Sequence, residues 1–547
     1  MTPTSGLSRR RLLQTGLTAA ALTAVGVPTL SACSNEGRGG GGSQAADDAV
    51  QLPDHIPFEG LPADLVGENG VVDGLLRYPA DPPQVTSGTP GDGQPVRALT
   101  FTNNPLPPAL ENNTFWQGLN DRLGAPYEVS LVPSADYADR FQTAVAGDQL
   151  PDLFSIQHTS VPSLPGLLAQ RAVDLTPFLA GSAVARYPML ANIPTNTWEA
   201  TVYDGKIYAV PIPRGPGLST VLYGRQDVLE ERGLDAVPDS WEAFFDFCVQ
   251  ASAGAVNTWA LSAVPLVVLR QMFGVPNTWA DEGGRLVSAY EAERQPEALE
   301  AGRRLVAEGL VHPDAFGVPQ SQRKTWIANG TTPFIEDTFT AWFGFYQLEL
   351  SEGFRVEIYR PPMADGGGDA PIWLGNPTSN ITAISARSVD RAEALLSVLD
   401  HLAAPVGSAE QLYKIYGEEG VHHTLDGTNP VLTERGRSET FLGLQYLSEG
   451  PFTLYLGGQP GAVQQQFDIQ NELVPTGLPN PALGLYSQTQ SRRGTQLSTM
   501  MSDLENEILQ GRQPVSAWAE GVARWKADGG DAIRDEYQLA LDERVGG

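Results

Sequence analysis

Between residues 96 and 156 the hydrophobic period switches repeatedly between two and 3.6, and that switching limits the chain to one kind of architecture. Val96 to Phe101 reads as a strand. After the polar loop Thr102 to Asn113 a helix opens at Thr114, with Phe115, Trp116, Leu119 and Leu123 on one side and Gly124 as its stop. Alternating Tyr127, Val129 and Leu131 predict a second strand, and Tyr137, Phe141 and Val145 a second helix ending at Gly147. Leu153 to Ile156 is a buried third strand. A β-α-β-α-β succession requires a parallel sheet with helices on its faces. Ligands of such sheets sit beyond the carboxyl ends of the strands, so the loops after Phe101 and Ile156 point toward one crevice.

The body from residue 96 to 547 exceeds the 250–300 residues or so that a single core holds, and 41% apolar residues suffice for two lobes. Pro296 begins a helix whose Leu299, Gly302 and Val306 share a face and which ends at Gly309. Ser388 is placed to cap another bearing Ala392, Leu395, Leu396, Leu399 and Leu402. Residues 51–95 read as an irregular arm packed on the main body and closed by the Pro/Gly/Ser/Thr stretch Asp81 to Pro95. Ser34 to Ala49, with Gly39 to Gly42, forms a flexible tether.

Upstream, Leu30-Ser31-Ala32-Cys33 resembles the lipobox of bacterial lipoproteins. That pattern implies cleavage before Cys33, lipidation of its thiol and anchoring at the outer face of the cell membrane. Ser8-Arg9-Arg10-Arg11-Leu12-Leu13 supplies a twin-arginine pattern, and the apolar run Leu17 to Leu30 is too short to span a bilayer. Residues 1–32 are therefore expected to be a signal peptide and 33–50 the tether. Removing Arg9, Arg10 and Arg11, with no acid lost, moves the net charge from −29 to −32. So acidic a surface disfavours nucleic acid and anionic lipid as partners. With Cys33 lipidated no disulfide remains, and Cys248, in the helical pattern Trp241 to Val249, reads as a small buried apolar group.

Several phrases, in order, resemble the extracellular solute-binding proteins of ABC importers, in the lipoprotein branch tied to oligosaccharide and aldouronate uptake. They are Leu150-Pro151-Asp152-Leu153, the turn Tyr203-Asp204-Gly205-Lys206-Ile207-Tyr208-Ala209-Val210-Pro211, and Leu222 to Leu229. Leu234 to Phe244, Glu308-Gly309-Leu310-Val311-His312-Pro313-Asp314, Tyr416 to Val421, and Ile508 to Tyr537 follow. Asp227-Val228 lacks the family's usual Trp, Asp239-Ser240 replaces a Thr pair, and Ala209 replaces a Gly. Locally, Asp204-Gly205 predicts a tight turn between two short strands, and Pro238 with Ser240 a helix start. The resemblance implies an α/β, two-lobed periplasmic-binding-protein-like (type II) fold with a hinge and a central ligand cleft. Lobe 1 would comprise 96–213 and about 378–440, lobe 2 214–377 and about 441–547. It also implies a monomer that captures a carbohydrate, an oligosaccharide, and delivers it to ABC permease subunits. An exported glycoside-acting enzyme, a binder of a non-sugar solute and a scaffold lipoprotein are the alternatives.

Sugars offer a C–H face to aromatic rings and a rim of hydroxyls to planar polar groups. Trp259, Trp279, Trp342 and Trp373 lie near turns and are candidates for stacking. Asp337 and Trp342 follow a strand expected at Thr332 to Ile335, and Asn376 accompanies Trp373 before a strand expected at Asn380 to Ile384. Asn103 and Asn104 follow the first strand, and Gln157 and His158 the third. Arg214 stands in the first crossover, placed to grip a carboxylate or brace a hinge, and Tyr223 is a further candidate whose competing role is packing. Each has a competing structural role as packing or a solvated turn. No P-loop, Rossmann, G-x-S-x-G or H-E-x-x-H phrase stands in a supporting context, and adjacent His422 and His423 point to opposite faces of a strand. No catalytic residue, cofactor or metal is expected.

Overall fold

The computed structural model describes residues 47, 49–234, 238–253, 257–348 and 353–546; the expected signal peptide, Cys33 and tether residues 34–46 lie outside them. Two sheets organise the described chain. Their strands are β1 (Val96–Thr102), β2 (Tyr127–Pro133), β3 (Leu153–Ile156), β4 (Ala209–Pro213), β5 (Thr220–Arg225), β6 (Phe334–Thr338), β7 (Val356–Tyr359) and β8 (Thr378–Ile384). The first sheet runs β2-β1-β3-β8-β4. Strand β1 is parallel to both β2 and β3, while the late strand β8 inserts antiparallel to β3 and β4. The second runs β6-β5-β7, both neighbours antiparallel to β5.

Helices α1 (Thr114–Leu123) and α2 (Tyr137–Ala146) occupy the predicted crossovers. Asn113 caps α1 by accepting from Trp116 N at 2.8 Å, and Gly124 ends it at φ +63°, a left-handed geometry that favours glycine. Glu439 adds a carboxylate to the same helix start, accepting from Thr114 N at 2.7 Å and Phe115 N at 3.3 Å. Burial pushes this carboxyl up, but bonds from Arg435, the Thr114 hydroxyl, Phe115 N–H and His422 hold it at about 2.

Each sheet is filled on both faces. Leu153, Ile384 and Trp198 pack in one cluster of the first sheet, and Leu99, Phe154 and Ile156 in another with Tyr137 and Phe141. In β5 the period of two sorts side chains: Leu222 joins Phe334 and the aromatics of α3 (Trp241–Ser252), while Val221 and Tyr223 face the opposite core. Ser240 caps α3, and Cys248 is buried within it. The helix predicted from Pro296 is α4 (Gln295–Ala307), and α5 (Ala341–Leu348) packs on the Tyr223 face.

Two expectations need correction. Ser388 does not cap α6 (Ala392–Leu402); it lies at a kink in a preceding 3-10 turn capped by Ser385, and its hydroxyl donates to Asp152 at 2.6 Å. Strand β6 starts at Phe334 and runs on through Thr338, so Asp337 is a strand residue and not part of a loop. The arm, expected to pack on the main body, makes backbone contacts to it along its length. Ile56 N donates to Ala191 O at 2.8 Å, Gly74–Leu75 pairs in parallel with Leu454–Tyr455, and Glu410 accepts from Val85 N and Thr86 N.

The chain passes from the first sheet to the second after Pro213 and returns before Thr378, where Arg214 N donates to Pro377 O at 2.8 Å. Leu442, Leu444 and Leu447 still belong to the first core, whereas Phe452 and Leu454 belong to the second.

Candidate ligand cleft between the two sheets

A cavity of about 680 Å³ lies where the chain crosses between the sheets. His158 and Thr159 reach it from the loop after β3, and Gly215 to Thr220 from the link between β4 and β5. The run Trp373 to Thr378 enters from the lead into β8. Tyr203, Glu199 and Asn196 come from the segment before β4, Asn69 and Gly70 from the arm, and Pro479 to Tyr486 from a C-terminal loop, with Tyr537 beside it. The volume falls within the range of small-molecule sites, and the lining combines aromatic faces with amides.

The Trp373 segment is held from several sides. Trp373 Nε1 donates to Val275 O at 3.1 Å, and Asn277 Nδ2 donates to both Leu374 O and Leu478 O at 2.9 Å. Gly375 N donates to Ser219 Oγ at 2.9 Å, and a Cβ at Gly375 would stand 2.6 Å from the Leu218 carbonyl oxygen, so only glycine fits. Asn376 Oδ1 accepts from Thr378 N at 2.9 Å, which turns the chain into β8. Beside Trp373, Thr278 has φ +63°, and Trp279 N donates to Asn277 O at 2.6 Å across it. This is a positive-φ γ-turn centred on a β-branched residue, a strained arrangement costing about 1–3 kcal/mol that the surrounding pins must offset.

Burial pushes His158 down to about 4, so its imidazole is neutral at physiological pH, and its Nδ1 is buried without a hydrogen-bond partner among the described residues. Asp47 Oδ1 accepts from Gly205 N at 2.6 Å, and Arg544 donates to Leu483 O and Gly484 O behind the C-terminal wall. Among the described residues, the carboxylates of the lining are Asp47 and Glu199, and no Lys or Arg lines the cavity.

Of the residues singled out in the sequence, His158, Trp373 and Asn376 line this cleft. Arg214 adjoins it through Gly215, with its guanidinium on Pro213 O at 2.8 Å. Trp342 is 2% exposed, packed in the core with Tyr223 and Phe345, and Tyr223 donates its hydroxyl to Thr338 O and Phe339 O. Asp337 pairs with Lys324 at 3.2 Å and accepts from Gln320 Nε2 at 2.9 Å. Trp259 and Trp326 flank the His312 ring, at 4.3 and 3.6 Å between centroids. Trp279 is buried against Trp525 and Tyr537. Asn103 donates to the Tyr446 hydroxyl at 2.8 Å, and neither it, Asn104 nor Gln157 lines the cleft. His422 meets Thr114 and Glu439, and His423 the Tyr416 carbonyl. Among the described residues no group of three or more His, Cys, Asp or Glu is placed to hold a metal ion.

Sequence reasoning missed Tyr203, Asn277, Asn480 and Tyr486. The signal available for the last two was the run Pro479-Asn480-Pro481 ahead of Leu485-Tyr486, a turn-rich loop exposing an aromatic.

Residues 120–411 match the family of bacterial extracellular solute-binding proteins. Lipoprotein LipO of Bacillus subtilis (strain 168) is 20% identical over 478 residues, covering 82% of this chain and 93% of that one. The polygalacturonan/rhamnogalacturonan-binding protein YtcQ of the same organism is 20% identical over 441 residues, 76% of this chain and 85% of its own. Among solved structures, an HMO-binding, ABC-transporter-associated solute-binding protein from Bifidobacterium longum infantis superposes with a TM-score of 0.62. It is 14% identical and covers 83% of this chain and 99% of its own.

Proposed function

The chain belongs to the bacterial extracellular solute-binding proteins, and from that premise we propose that it captures a neutral oligosaccharide in the interlobe cleft and presents it, chemically unchanged, to ABC permease subunits. The observation that carries this is the lining itself: Trp373, Tyr203, Tyr486 and Tyr537 supply aromatic faces, and Asn69, Asn196, Asn277, Asn376 and Asn480 supply amides. Neutrality follows from charge. An anionic sugar would meet the carboxylates of Asp47 and Glu199 and a neutral His158 in a lining that, among the described residues, holds no Lys or Arg.

In this reading lobe 1 takes in β1 to β4, β8 and the chain through Leu447, and lobe 2 takes in 214–377 and the chain from Phe452 onward. A solute that touches both lobes only when they are together shifts the open/closed balance by that differential affinity. Cleavage before Cys33 and lipidation of its thiol would hold the monomer at the outer face of the membrane through the tether expected over 33–50, of which Asp47 is already hydrogen-bonded to Gly205 N of the folded body.

The test is a thermal-shift screen of the mature chain against neutral oligosaccharides and oligogalacturonides, with chromatography of the recovered sugar. Neutral sugars should raise the melting temperature and return intact. Preference for the galacturonides overturns neutrality, and a cleaved product overturns simple capture.

A further inference from the structure

A second cavity, of about 370 Å³, lies in the C-terminal body and shares Thr278, Trp373, Asn480, Ala482 and Tyr537 with the cleft. Its own lining carries three aromatics, Trp279, Tyr290 and Trp525, with the Tyr290 and Trp525 rings 5.3 Å apart edge to face, beside the polar side chains of Arg270, Ser288, Gln490 and Ser498. Into this wall is set one fully buried amide, Gln295, at the start of α4. Arg270 Nε donates to Gln295 Oε1 at 3.0 Å, and Arg270 is itself paired with Glu505, so the orientation of the amide is fixed. Its Nε2 has no hydrogen-bond partner among the described residues, a cost of about 1–3 kcal/mol for a buried donor. The strained γ-turn at Thr278 stands in the partition between the two cavities.

We propose that this chamber is a side subsite of the cleft, which takes a terminal sugar ring against Trp279, Tyr290 and Trp525 while Gln295 Nε2 donates to one of its oxygens. Aromatic walls suit the C–H face of a pyranose, and a fixed, buried donor suits a hydroxyl or ring oxygen. Strain held at Thr278 belongs where a turn positions a wall against a ligand. The chamber then sets chain length: short sugars fill the cleft alone, longer ones extend past Trp373.

This inference rests on the oligosaccharide reading, and its test separates the two. Titration calorimetry on the mature chain with malto-, xylo- and fructo-oligosaccharide ladders of two to six units should show affinity rising at the length that reaches the chamber. Gln295→Glu keeps the acceptor toward Arg270 and replaces the donor; Ala289→Trp fills the chamber from its rim. Both should lose that rise, tenfold or more, and leave the shorter members unchanged. Circular dichroism checks each fold, and either variant alone suffices. Ladders that bind wild type and variants with one profile overturn the chamber and leave the function standing. If no ladder binds, both fall.

Discussion

Ser163 donates its backbone N–H to the Ser491 hydroxyl oxygen at 2.9 Å, joining the turn that follows β3 of the first sheet to α7 (Gln488–Leu509), whose Leu497 and Met501 pack with Trp279 in the other half of the molecule. Ser163 holds φ +53°, a left-handed geometry that a serine adopts at a cost, and that geometry faces its N–H toward α7. Tyr486, a cleft residue, hydrogen-bonds the same Ser491 side chain. The bond therefore ties the two halves beside the ligand cavity. Ser491→Ala removes the acceptor. An exposed bond of this kind is worth about 0.5–1.5 kcal/mol net, so affinity should fall roughly two- to tenfold. The loss should appear as faster ligand release in stopped-flow fluorescence. Unchanged release would mean that closure does not use this bond.

Two tryptophans separate binding from folding. Trp373 is half-buried on the cleft wall, whereas Trp342 is sealed in the core with Phe345 and Tyr346. Trp373→Ala should weaken oligosaccharide binding by tenfold or more, since a stacked ring and its area are lost, with a modest change in melting temperature. Trp342→Ala should instead cost about 3–5 kcal/mol of stability through the cavity it leaves. Paired calorimetry and thermal melts check both, and equal binding by Trp373→Ala would remove that ring from the site.

What the sequence disclosed follows from locality. The β-α-β-α-β run and its stops at Gly124 and Gly147 are set by neighbours within a few residues, so α1, α2 and β1 to β3 lie where periodicity put them. His158, Trp373 and Asn376 were legible because they adjoin strand ends, where a parallel sheet brings its loops together. Trp342 misled because an aromatic beside a strand looks the same on paper whether its helix turns it inward or outward. Alternation then placed Tyr223, Ile335 and Trp342 in one core. Tyr537 could not be read as a cleft residue, and the turn-rich loop that signals Asn480 and Tyr486 could not be assigned to the cleft, because only the tertiary return of the C-terminal segment brings them to a site built more than a hundred residues earlier.

Gly375 has a sharper demand than its neighbours. A methyl group there would collide with the Leu218 carbonyl and the Ser219 N–H, both backbone atoms of the opposing crossover, and no rotamer change relieves it. Gly375→Ala must therefore part the two crossing segments, breaking the bond from Gly375 N to Ser219 Oγ. The expected result is a loss of about 1–3 kcal/mol in urea unfolding together with weakened binding, because Leu374 and Asn376 move with it. Wild-type stability with wild-type affinity would show that the crossing is slack.

Two buried groups tilt stability against pH in opposite senses. Burial pushes His158 down to about 4, below the roughly 6.5 of an unfolded histidine. The unfolded chain thus binds more protons between those values, so the contribution of His158 is complete above about pH 6.5 and is lost as pH falls toward 4. Burial pushes Asp400 up to about 6, against its bonds from Leu190 N and Met189 N. Here the folded chain binds more protons, so stability is lost as pH rises from about 4 through 6. His158→Gln should flatten the acid limb by about 1–3 kcal/mol, and Asp400→Asn, which keeps the carbonyl acceptor, should gain a similar amount above pH 6 and nothing below 4. Urea titrations at pH 4, 5.5 and 7.5 check both. If a ligand seals His158 further from water, binding holds the imidazole neutral more firmly, and affinity should fall only as pH drops through about 4. An affinity that collapses already at pH 6.5 would show that the free imidazole is solvated and titrates normally.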